Sequence, residues 1–324
     1  MLTGTTVDTV TAGAREGSPG RGTLVAMLAT DLHAAVTDWY AAHARDLPWR
    51  RPGTTPWGVL VSEVMSQQTP VTRVAPAWEQ WMARWPEPGD LAEAAPADVL
   101  RAWHRLGYPR RALRLRECAA EIVTRFGGTV PATEEELLTL PGVGGYTAAA
   151  VVSFAHGGRA LVLDTNVRRV LGRVVAGRAL PPPGLTVGER AGAAELLPTD
   201  PATSVRWNEG VMELGALVCT ARSPRCGVCP LAERCRWRRA GAPPDELASR
   251  RRTQAWHGSD RQARGQVMAR LRELPVGATL GTEELLAPLR EHAEDPEQAA
   301  RALESLRTDG LVAESPPGCW ALPE

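Results

Sequence analysis

The most informative absence in this sequence is lysine, because all 37 basic residues of the 324-residue chain are arginine. Without a side-chain amine, the protein cannot form a lysine Schiff base, which excludes every reaction that depends on one. The chain also lacks a run of about 18 apolar residues, so a membrane-spanning helix is not expected. Its N-terminal segment lacks the length and cleavage site of a secretory signal. We therefore expect a cytoplasmic protein that does not contact membranes.

A net charge is also missing, because 37 acidic residues balance the 37 basic ones. Neutrality of the whole chain can still conceal a basic face when the charges are unevenly distributed. Arginines are concentrated in residues 101–116 and 222–239, whereas residues 282–324 are acidic. The distribution is therefore compatible with a nucleic-acid partner, although it does not predict one by itself.

The first 240 residues have helical periodicity and almost no strand signal, which predicts a mainly α protein. Residues 1–28 are expected to be a disordered tail and residues 29–240 a helical body. A linker with Pro and Gly over residues 241–254 separates the body from residues 255–324. Three short amphipathic helices and a hairpin over residues 309–322 predict that this last part is a small winged-helix-like α+β domain.

A glycine turn lies between two helical patterns near the middle of the chain. Thr133 and Glu136 have the spacing of a capping box that opens the first helix, and Pro141 ends that helix. Three glycines follow, whose backbone N–H groups can converge on an anion: Gly142, Gly144 and Gly145. A helix, such a turn and a second helix form a helix–hairpin–helix, which binds a DNA phosphate without reading sequence. The alternative is that the glycines only join two core helices.

A single carboxylate, Asp164, follows about one helix later, directly before another helix start at residues 166–169. An aspartate at this position is commonly an N-cap. The positive end of the helix dipole would also keep a catalytic carboxylate ionised there. The sequence leaves both interpretations open.

Four of the six cysteines lie in one loop, with the spacing Cys219-x6-Cys226-x2-Cys229-x5-Cys235. In a cytosolic protein, such a group is more often a set of metal ligands than of disulfides. Zinc usually takes two closely spaced cysteine pairs, and only one occurs here. Four thiolates within one loop suit an iron–sulfur cubane instead. The spacing therefore favours a 4Fe–4S cluster over zinc and over unrelated surface cysteines.

Glu63 is the only acidic residue in an apolar segment over residues 59–65. Burial among such neighbours would raise the pKa of its carboxyl and keep it protonated, as a general acid requires. A glutamate on a helix more often faces solvent, and the segment alone favours that simpler interpretation.

Taken together, these motifs resemble the helix–hairpin–helix DNA glycosylase superfamily, in which a catalytic aspartate follows the hairpin and an iron–sulfur loop has this cysteine spacing. Residues 61–69 are similar to the V-S-E-V-M-x-Q-Q-T segment of the MutY-type adenine DNA glycosylases. The resemblance covers about residues 31–240. It implies a six-helix barrel domain over about 55–165 and a cluster domain formed by residues 29–54 and 166–240.

The same resemblance assigns roles to individual residues. Glu63 would donate a proton to N7 of a flipped adenine, and Asp164 would stabilise the sugar cation, with Tyr146 as a hydroxyl beside the aspartate and Asn166 two residues beyond it. An adenine pocket is implied for Arg45, Leu47, Trp49, Arg50 and Glu209, and insertion into the base stack for Gln68 and Tyr108. Trp49 and Tyr108 could instead pack in the core, and Gln68 could be an ordinary surface residue.

Members of the superfamily that also cut the strand carry a lysine where this chain has Tyr146. The resemblance therefore implies a monofunctional glycosylase that hydrolyses the N-glycosidic bond of adenine mispaired with 8-oxoguanine or guanine, in base excision repair. Its partner would be double-stranded DNA with an adenine mispair, bound by a monomer in the cytoplasm at the nucleoid. Two alternatives remain open, namely a thymine-mismatch glycosylase on the same scaffold and a non-enzymatic iron–sulfur DNA-binding regulator.

The chain departs from the family's pattern in two places. Members typically have a C-terminal Nudix-like β domain that inspects 8-oxoguanine, whereas residues 255–324 are short and largely helical in pattern. The family's L-G-Y-Y segment reads Leu106-Gly107-Tyr108-Pro109 here. The resemblance therefore predicts least about discrimination for 8-oxoguanine and about the loop that carries Tyr108.

Overall fold

The computed structural model describes residues 21–250, 256–291 and 295–324, and this part of the chain is mainly helical, as the sequence predicted. The helices of the body are α1 (Arg21–His43), α2 (Pro56–Ser66), α3 (Val71–Arg84), α4 (Pro88–Glu93), α5 (Pro96–Trp103), α6 (Arg110–Phe126), α7 (Glu134–Leu137), α8 (Gly145–Phe154), α9 (Thr165–Val174), α10 (Val187–Glu195), α11 (Pro201–Leu217) and α12 (Arg236–Arg239). None of the helices in the described part combines the length and apolarity needed to cross a membrane.

The predicted N-terminal tail ends earlier than expected. Helix α1 begins at Arg21, so residues 21–28 belong to a helix that continues into the body. Their helical pattern is weak because glycine and threonine interrupt the first turn. The remainder of the expected tail, residues 1–20, lies outside the described residues.

Tryptophan forms the centre of the larger hydrophobic core. Trp57, Trp81 and Trp103 are each at most 1% exposed and pack with apolar side chains of α2 to α8. A buried indole N–H needs an acceptor, and Trp57 and Trp103 donate to the carbonyl oxygens of Trp85 and Gly107. The bias of the sequence towards tryptophan is therefore a property of core packing.

A second core joins both ends of the body. Leu32 and Val36 of α1 pack against buried apolar residues of α9 and α11, such as Val170 and Leu214. Two glycines of α11 permit this packing, since a Cβ at Gly210 would lie 2.7 Å from Cγ1 of Val36 and one at Gly215 would lie 2.7 Å from Cβ of Asn166. Helix α11 is consequently held tightly between α1 and the start of α9.

The C-terminal region has the element order of a winged helix. It comprises α13 (Asp260–Glu273), β1 (Leu280–Gly281), α14 (Thr282–Arg290), α15 (Gln298–Thr308), β2 (Ala313–Glu314) and β3 (Cys319–Ala321). Strand β3 lies between β1 and β2 and is antiparallel to both, with Trp320 opposite Leu280 and Glu314. The expected hairpin is β2 and β3, whereas β1 was not predicted, because two residues are too few to show an alternating pattern.

The C-terminal domain is packed on the body and not tethered beside it. Leu271, Leu306 and Trp320 belong to the same continuous cluster of buried residues as the tryptophans of the barrel. Helix α13 contacts α5, and Arg110 at the start of α6 forms an ion pair with Asp309 at 3.0 Å. The winged domain therefore has a fixed position next to the loop that joins α5 to α6.

Candidate active site

Helix α2 places Glu63 in the interior. Thr55 caps the helix by accepting a hydrogen bond from the Gly58 N–H, and Pro56 occupies its first turn. Every residue from 57 to 65 is buried because α2 is surrounded by α3, α6 and α8. Glu63 is only 8% exposed, so the simpler interpretation of a solvent-facing glutamate is wrong.

Burial gives Glu63 the acidity of a group that exchanges its proton near neutral pH. Loss of hydration, with a smaller contribution from the negative charge of Asp164, raises the pKa of its carboxyl from 4.5 to about 7. Tyr146 donates a hydrogen bond to Oε2 of Glu63 at 2.8 Å, and this bond limits the rise. The site therefore contains a carboxyl that can both give and take a proton.

Tyr146 lies in the first turn of α8, immediately after the glycine turn. Burial raises its pKa well above 10, and the neighbouring carboxylates of Glu63 and Asp164 add to this effect. The hydroxyl thus remains a hydrogen-bond donor throughout the physiological pH range. The family resemblance placed it beside Asp164, but in the structure its hydrogen bond goes to Glu63.

Asp164 has the hydrogen bonds of a helix cap, which is the simpler of the two interpretations that the sequence left open. It is the N-cap of α9, where Oδ1 accepts from the Val167 N–H at 2.6 Å and Oδ2 accepts from Nδ2 of Asn166 at 2.8 Å. Burial raises the pKa of Asp164, while these donors and Arg169 oppose the rise. The hydrogen bonds at the helix start therefore oppose the effect of burial on the pKa of Asp164.

Asn166 continues this hydrogen-bond chain towards the cysteine loop. Its Oδ1 accepts from Nη2 of Arg169 at 2.7 Å, and the same guanidinium donates to the backbone oxygens of Gly215 and Cys219. Arg169 is buried, at 6% exposure, and is satisfied by these acceptors. Asp164, Asn166 and the first cysteine are therefore joined through a single arginine.

Glu63 and Asp164 line one cavity of about 550 Å³, which is the size expected of a small-molecule site. Nine of the residues singled out from the sequence line it: Arg45, Leu47, Trp49, Arg50, Glu63, Tyr146, Asp164, Asn166 and Glu209. Gln68 and Tyr108 lie outside its lining. Side chains that pack on both cores line the cavity, Trp49 on the larger core and Met212 on the second.

Glu213, which was not predicted from the sequence, holds two arginines of one wall of this cavity. Its side chain is 0% exposed and accepts from Nε of Arg45 at 2.7 Å and from Nη2 of Arg50 at 3.2 Å. Burial alone would raise the pKa of Glu213, but the two guanidinium groups lower it overall. Glu209 and Glu213 are four residues apart on α11, and this spacing was the one available signal that both face the same side.

Trp49 both packs in the core and lines the cavity. Its ring packs edge-on against Trp78, with ring centroids 6.1 Å apart, and its remaining surface faces the cavity. Gln68 and Tyr108 differ from it because they are exposed and have positive φ angles, of 55° and 48°. Positive φ is uncommon for residues with a side chain and indicates a constrained loop.

The glycine turn lies at the surface, at the start of α8. Gly142 has a φ of 77° and therefore needs glycine, and a Cβ there would also lie 3.1 Å from Cβ of Arg114. Gly144 and Gly145 are exposed, and they are the N-cap and the first residue of α8, a helix of ten residues. The helix before the turn, α7, is shorter than predicted, because residues 138–140 already form turns after Leu137.

Four cysteines surround a second, much smaller cavity of about 20 Å³: Cys219, Cys226, Cys229 and Cys235. Arg173 donates to Sγ of Cys219 at 3.3 Å and stacks on the ring of Trp237. Within the described residues, no three His, Cys, Asp or Glu side chains are close enough to hold a single metal ion. The four cysteine side chains therefore share one small site, next to the guanidinium of Arg173.

We expect Tyr146→Phe to move the pH dependence of the reaction in this cavity towards higher pH. Removal of the hydroxyl removes a hydrogen bond that stabilises ionised Glu63, so the pKa of Glu63 rises further. Single-turnover rates measured from pH 5 to 9 should therefore fall at higher pH in the variant than in the parent. An unchanged profile would show that the hydroxyl does not act on Glu63.

Comparisons with known proteins identify two regions of the chain. A family described as HhH-GPD superfamily base excision DNA repair protein matches residues 61–187, which contain Glu63, the glycine turn and Asp164. A second, the iron–sulfur binding domain of endonuclease III, matches residues 219–235, the segment bounded by the first and last cysteines of the loop.

Individual relatives extend this match along the chain. An adenine DNA glycosylase of Mycolicibacterium smegmatis is 49% identical over 284 residues, which are 88% of this chain and 93% of that protein. A thymine/uracil-DNA glycosylase of Pyrobaculum aerophilum is 36% identical over 206 residues, 63% of this chain and 89% of that protein. The structure of a thermostable thymine-DNA glycosylase superposes with a TM-score of 0.59 at 26% identity, covering 66% of this chain and 98% of that chain.

The mycobacterial relative shares more of the chain than the helical body. An alignment of 284 residues is longer than residues 29–240, so it necessarily includes part of the C-terminal domain. Both the identity and the shared length are greater for the adenine enzyme than for the thymine/uracil enzyme. The chain therefore belongs to the adenine DNA glycosylase family, within the HhH-GPD superfamily of base excision DNA repair proteins, and carries an iron–sulfur binding domain of the endonuclease III type.

Proposed function

We propose that this protein is a monofunctional glycosylase that removes adenine mispaired with 8-oxoguanine or guanine from double-stranded DNA by hydrolysing the N-glycosidic bond. The observation that carries the proposal is one cavity lined by Asp164 and by Glu63, whose pKa lies near neutrality. The names of relatives at 49% identity support adenine as the base. The protein would act as a monomer on DNA in the cytoplasm, at the nucleoid.

The reaction begins with Glu63 as a general acid. It transfers its proton to N7 of an adenine that has been turned out of the duplex, a position that the 550 Å³ cavity can accommodate. Protonation draws electrons into the purine, so the C1′–N9 bond breaks and its electron pair leaves with the base. Glu63 becomes a carboxylate, which the Tyr146 hydroxyl stabilises through its 2.8 Å hydrogen bond.

Asp164 acts on the other product of bond cleavage, the positively charged sugar. Its carboxylate stabilises this cation or bonds to it transiently, as the second of the two carboxylates does in retaining glycoside hydrolases. Water then attacks C1′, and ionised Glu63 takes a proton from it, which restores the acid. Free adenine and an abasic sugar result, with both DNA strands intact.

The remaining wall of the cavity is suited to a purine. Arg45 and Arg50, both held by Glu213, present a rigid cationic edge. Glu209 lines the same cavity, and its carboxyl oxygens can accept a hydrogen bond from the exocyclic amino group of the base. Trp49 contributes an apolar surface. These groups would orient adenine so that N7 meets Glu63.

Binding of DNA would depend on backbone contacts and on two wedging residues. The N–H groups of Gly142, Gly144 and Gly145, at the start of α8, would hold a phosphate. Gln68 and Tyr108 would fill the space that the extruded adenine leaves, which offsets the few kcal/mol required for extrusion. Both residues are exposed. They lie in two loops that Arg111 joins by donating hydrogen bonds to Thr69, next to Gln68, and to Gly107, next to Tyr108.

The four cysteines fit a 4Fe–4S cluster, which we propose as the cofactor of the iron–sulfur domain. Cys219, Cys226, Cys229 and Cys235 would ligate it as thiolates within an otherwise apolar cavity. Its contribution would be structural, because it would fix a loop that follows α11 and is otherwise held by 3-10 turns. The nearby guanidinium of Arg173 would balance part of the negative charge.

Replacement of Cys229 by Ser should remove most of the bound iron and the brown colour of the protein. Loss of one thiolate leaves a four-ligand cluster incomplete, so the loop is no longer held in place. Cys319→Ser is the matched control, because Cys319 lies in β3, remote from the loop. Iron content and visible absorption measure the effect, and full retention of both in the Cys229 variant would exclude this ligand set.

The proposal is tested by incubating the protein with duplexes that carry adenine opposite 8-oxoguanine, adenine opposite guanine, or thymine opposite guanine. Alkali afterwards reveals abasic sites in strands that are still intact. We expect adenine release without strand cleavage before alkali. Release of thymine alone would favour the thymine-mismatch glycosylase, and tight binding without release of any base would favour a DNA-binding regulator.

A further inference from the structure

Two loops beside the cavity, which we call the wedge loops, are held in strained conformations. They comprise residues 67–70, with Gln68, and residues 104–109, with Tyr108. The described part of the chain contains four residues other than glycine with positive φ, and three of them lie in these loops: Gln68, His104 and Tyr108. Such strain persists only where the surrounding structure enforces it.

Arg111 enforces this geometry from the barrel side. Its Nη1 donates to the backbone oxygens of Val64 and Met65, and its Nη2 donates to Thr69 Oγ1 and to the backbone oxygens of Leu106 and Gly107. Burial lowers the pKa of Arg111 to about 10, so the guanidinium remains charged at neutral pH. One side chain thus ties both wedge loops to the end of α2.

The winged domain holds the second wedge loop from the other side. Arg272 of α13 donates to the backbone oxygen of His104. Arg261, on the first turn of α13, places its guanidinium carbon 4.6 Å from the ring centroid of Tyr108 and 5.2 Å from that of Trp256. Tyr108 therefore contacts a cation of the barrel, Arg111, and a cation of the winged domain.

Arg261 differs from the other exposed arginines of its domain. Arg290, Arg301 and Arg307 are each paired with a carboxylate at 2.7 to 2.8 Å. Among the residues that the structure describes, Arg261 has no carboxylate partner and contacts only the two aromatic rings. Its charge is thus directed to the wedge loop.

The third helix of the winged domain is poorly suited to DNA. In helix-turn-helix proteins that helix reads the major groove with uncompensated polar and basic side chains. Here α15 is flanked by Asp295, Glu297 and Asp309, and its two arginines are neutralised by ion pairs. The domain therefore meets the DNA site through α13 and not through α15.

We propose that the C-terminal winged domain is a positioning element for the wedge, in which Arg261 and Arg272 hold Tyr108 in the conformation that enters the base stack. The inference rests on the proposed function, because it concerns the extrusion of adenine. The domain would change how readily the base leaves the duplex, and would leave the chemistry at Glu63 and Asp164 unchanged. Arg261 and Arg272 are accordingly positioning residues and not catalytic ones.

The proposal predicts a defect that depends on the cost of extrusion. Arg261→Ala should slow single-turnover release of adenine opposite guanine about fivefold, because the cation–π contact with Tyr108 is lost. The variant that also carries Arg272→Ala loses the charged hydrogen bond to His104 as well, and should be slowed about tenfold. The same variants should release adenine at the parental rate when it lies opposite an abasic site, because little stacking opposes extrusion there. Fluorescence of 2-aminopurine beside the target adenine reports extrusion directly and independently of base release.

Three comparisons decide the outcome. Arg301→Ala, on α15, is the matched control and should match the parent; a loss of DNA binding in that variant would assign the DNA contact to α15 and overturn the proposal. Arg261→Ala should add no slowing to Tyr108→Ala, whereas additive effects would mean that Arg261 does not act through Tyr108. Equal slowing on both duplexes, or no slowing at all, would likewise overturn it. Failure of the parent protein to release adenine would instead refute the proposed function.

Discussion

Replacement of Glu63 by Gln should slow the release of adenine by about 10²- to 10⁴-fold, which is the usual contribution of a positioned general acid. Glutamine keeps the size of the side chain and can still accept the hydrogen bond from Tyr146, but it cannot donate a proton to N7. Single-turnover release from a duplex with adenine opposite guanine measures the effect. DNA affinity should remain that of the parent, because Glu63 lies inside the cavity and not on the DNA-binding surface.

The same variant should be more stable than the parent above pH 7. Burial holds the pKa of Glu63 at about 7 in the folded state, against 4.5 for the free side chain, so the folded protein binds its proton more tightly than the unfolded chain. The parent therefore loses stability as the pH rises from about 4.5 to 7, and the loss is complete above 7. Denaturation at pH 8 should give the Gln variant about 3 kcal/mol more stability, and the difference should vanish below pH 4.5.

Two further observations separate this role from a structural one. Glu117→Gln, at an exposed position of α6, is the matched control and should change neither rate nor stability. The parental rate should fall as the pH rises through about 7, and the Gln variant should lack this dependence. Adenine release by Glu63→Gln at the parental rate would refute the assignment of the general acid.

Replacement of Asp164 by Asn should produce a loss of similar size, about 10³-fold, with little change in stability. Asparagine caps helices about as well as aspartate, so the start of α9 should keep its hydrogen bond from Val167. What is lost is the negative charge that faces the sugar cation, and such electrostatic contributions are worth about 10²- to 10³-fold each. Single-turnover kinetics measure the loss of rate, and thermal unfolding shows whether the helix cap is retained.

The chain supplies a close control for this substitution. Asp200 caps α11 in the same manner, by accepting from the Thr203 N–H at 2.8 Å, but it is exposed and does not line the cavity. Asp200→Asn should therefore leave adenine release unchanged. If Asp164→Asn were as active as Asp200→Asn, Asp164 would be only a helix cap.

The parts of the site that the sequence predicted are those specified by local chemistry. The N-cap at Asp164 follows from the residues beside it, and the four cysteines surround one cavity because they belong to one short loop. Glu63 is a different case, since its neighbours are apolar but only the resemblance, and then the packing of α3, α6 and α8, placed it inside. Local pattern thus identified candidate residues, and tertiary packing determined the environment of Glu63.

The parts that could not be predicted are contacts between distant segments. Glu213 pairs with Arg45 across 168 positions, and no local sequence pattern around either residue predicts this pair. The hydrogen bond of Tyr146 goes to Glu63 because α8 packs against α2, a fact of tertiary structure. The docking of α13 on the loop of Tyr108 likewise depends on the packing of two domains, for which composition gives no signal.

Helix α11 has a consequence for any attempt to alter base preference. It carries Glu209, which lines the cavity, and Glu213, which holds two arginines of its wall. It also touches Asn166 through Gly215 and leads directly to Cys219. Glu209 and Cys219 are about 15 Å apart along its axis, which is too short and too rigid a span for one end to shift alone. Variants with changes at the base-binding end of α11 should therefore be examined for visible absorption as well as for product. A loss of that absorption would identify variants whose altered activity results from a displacement of α11.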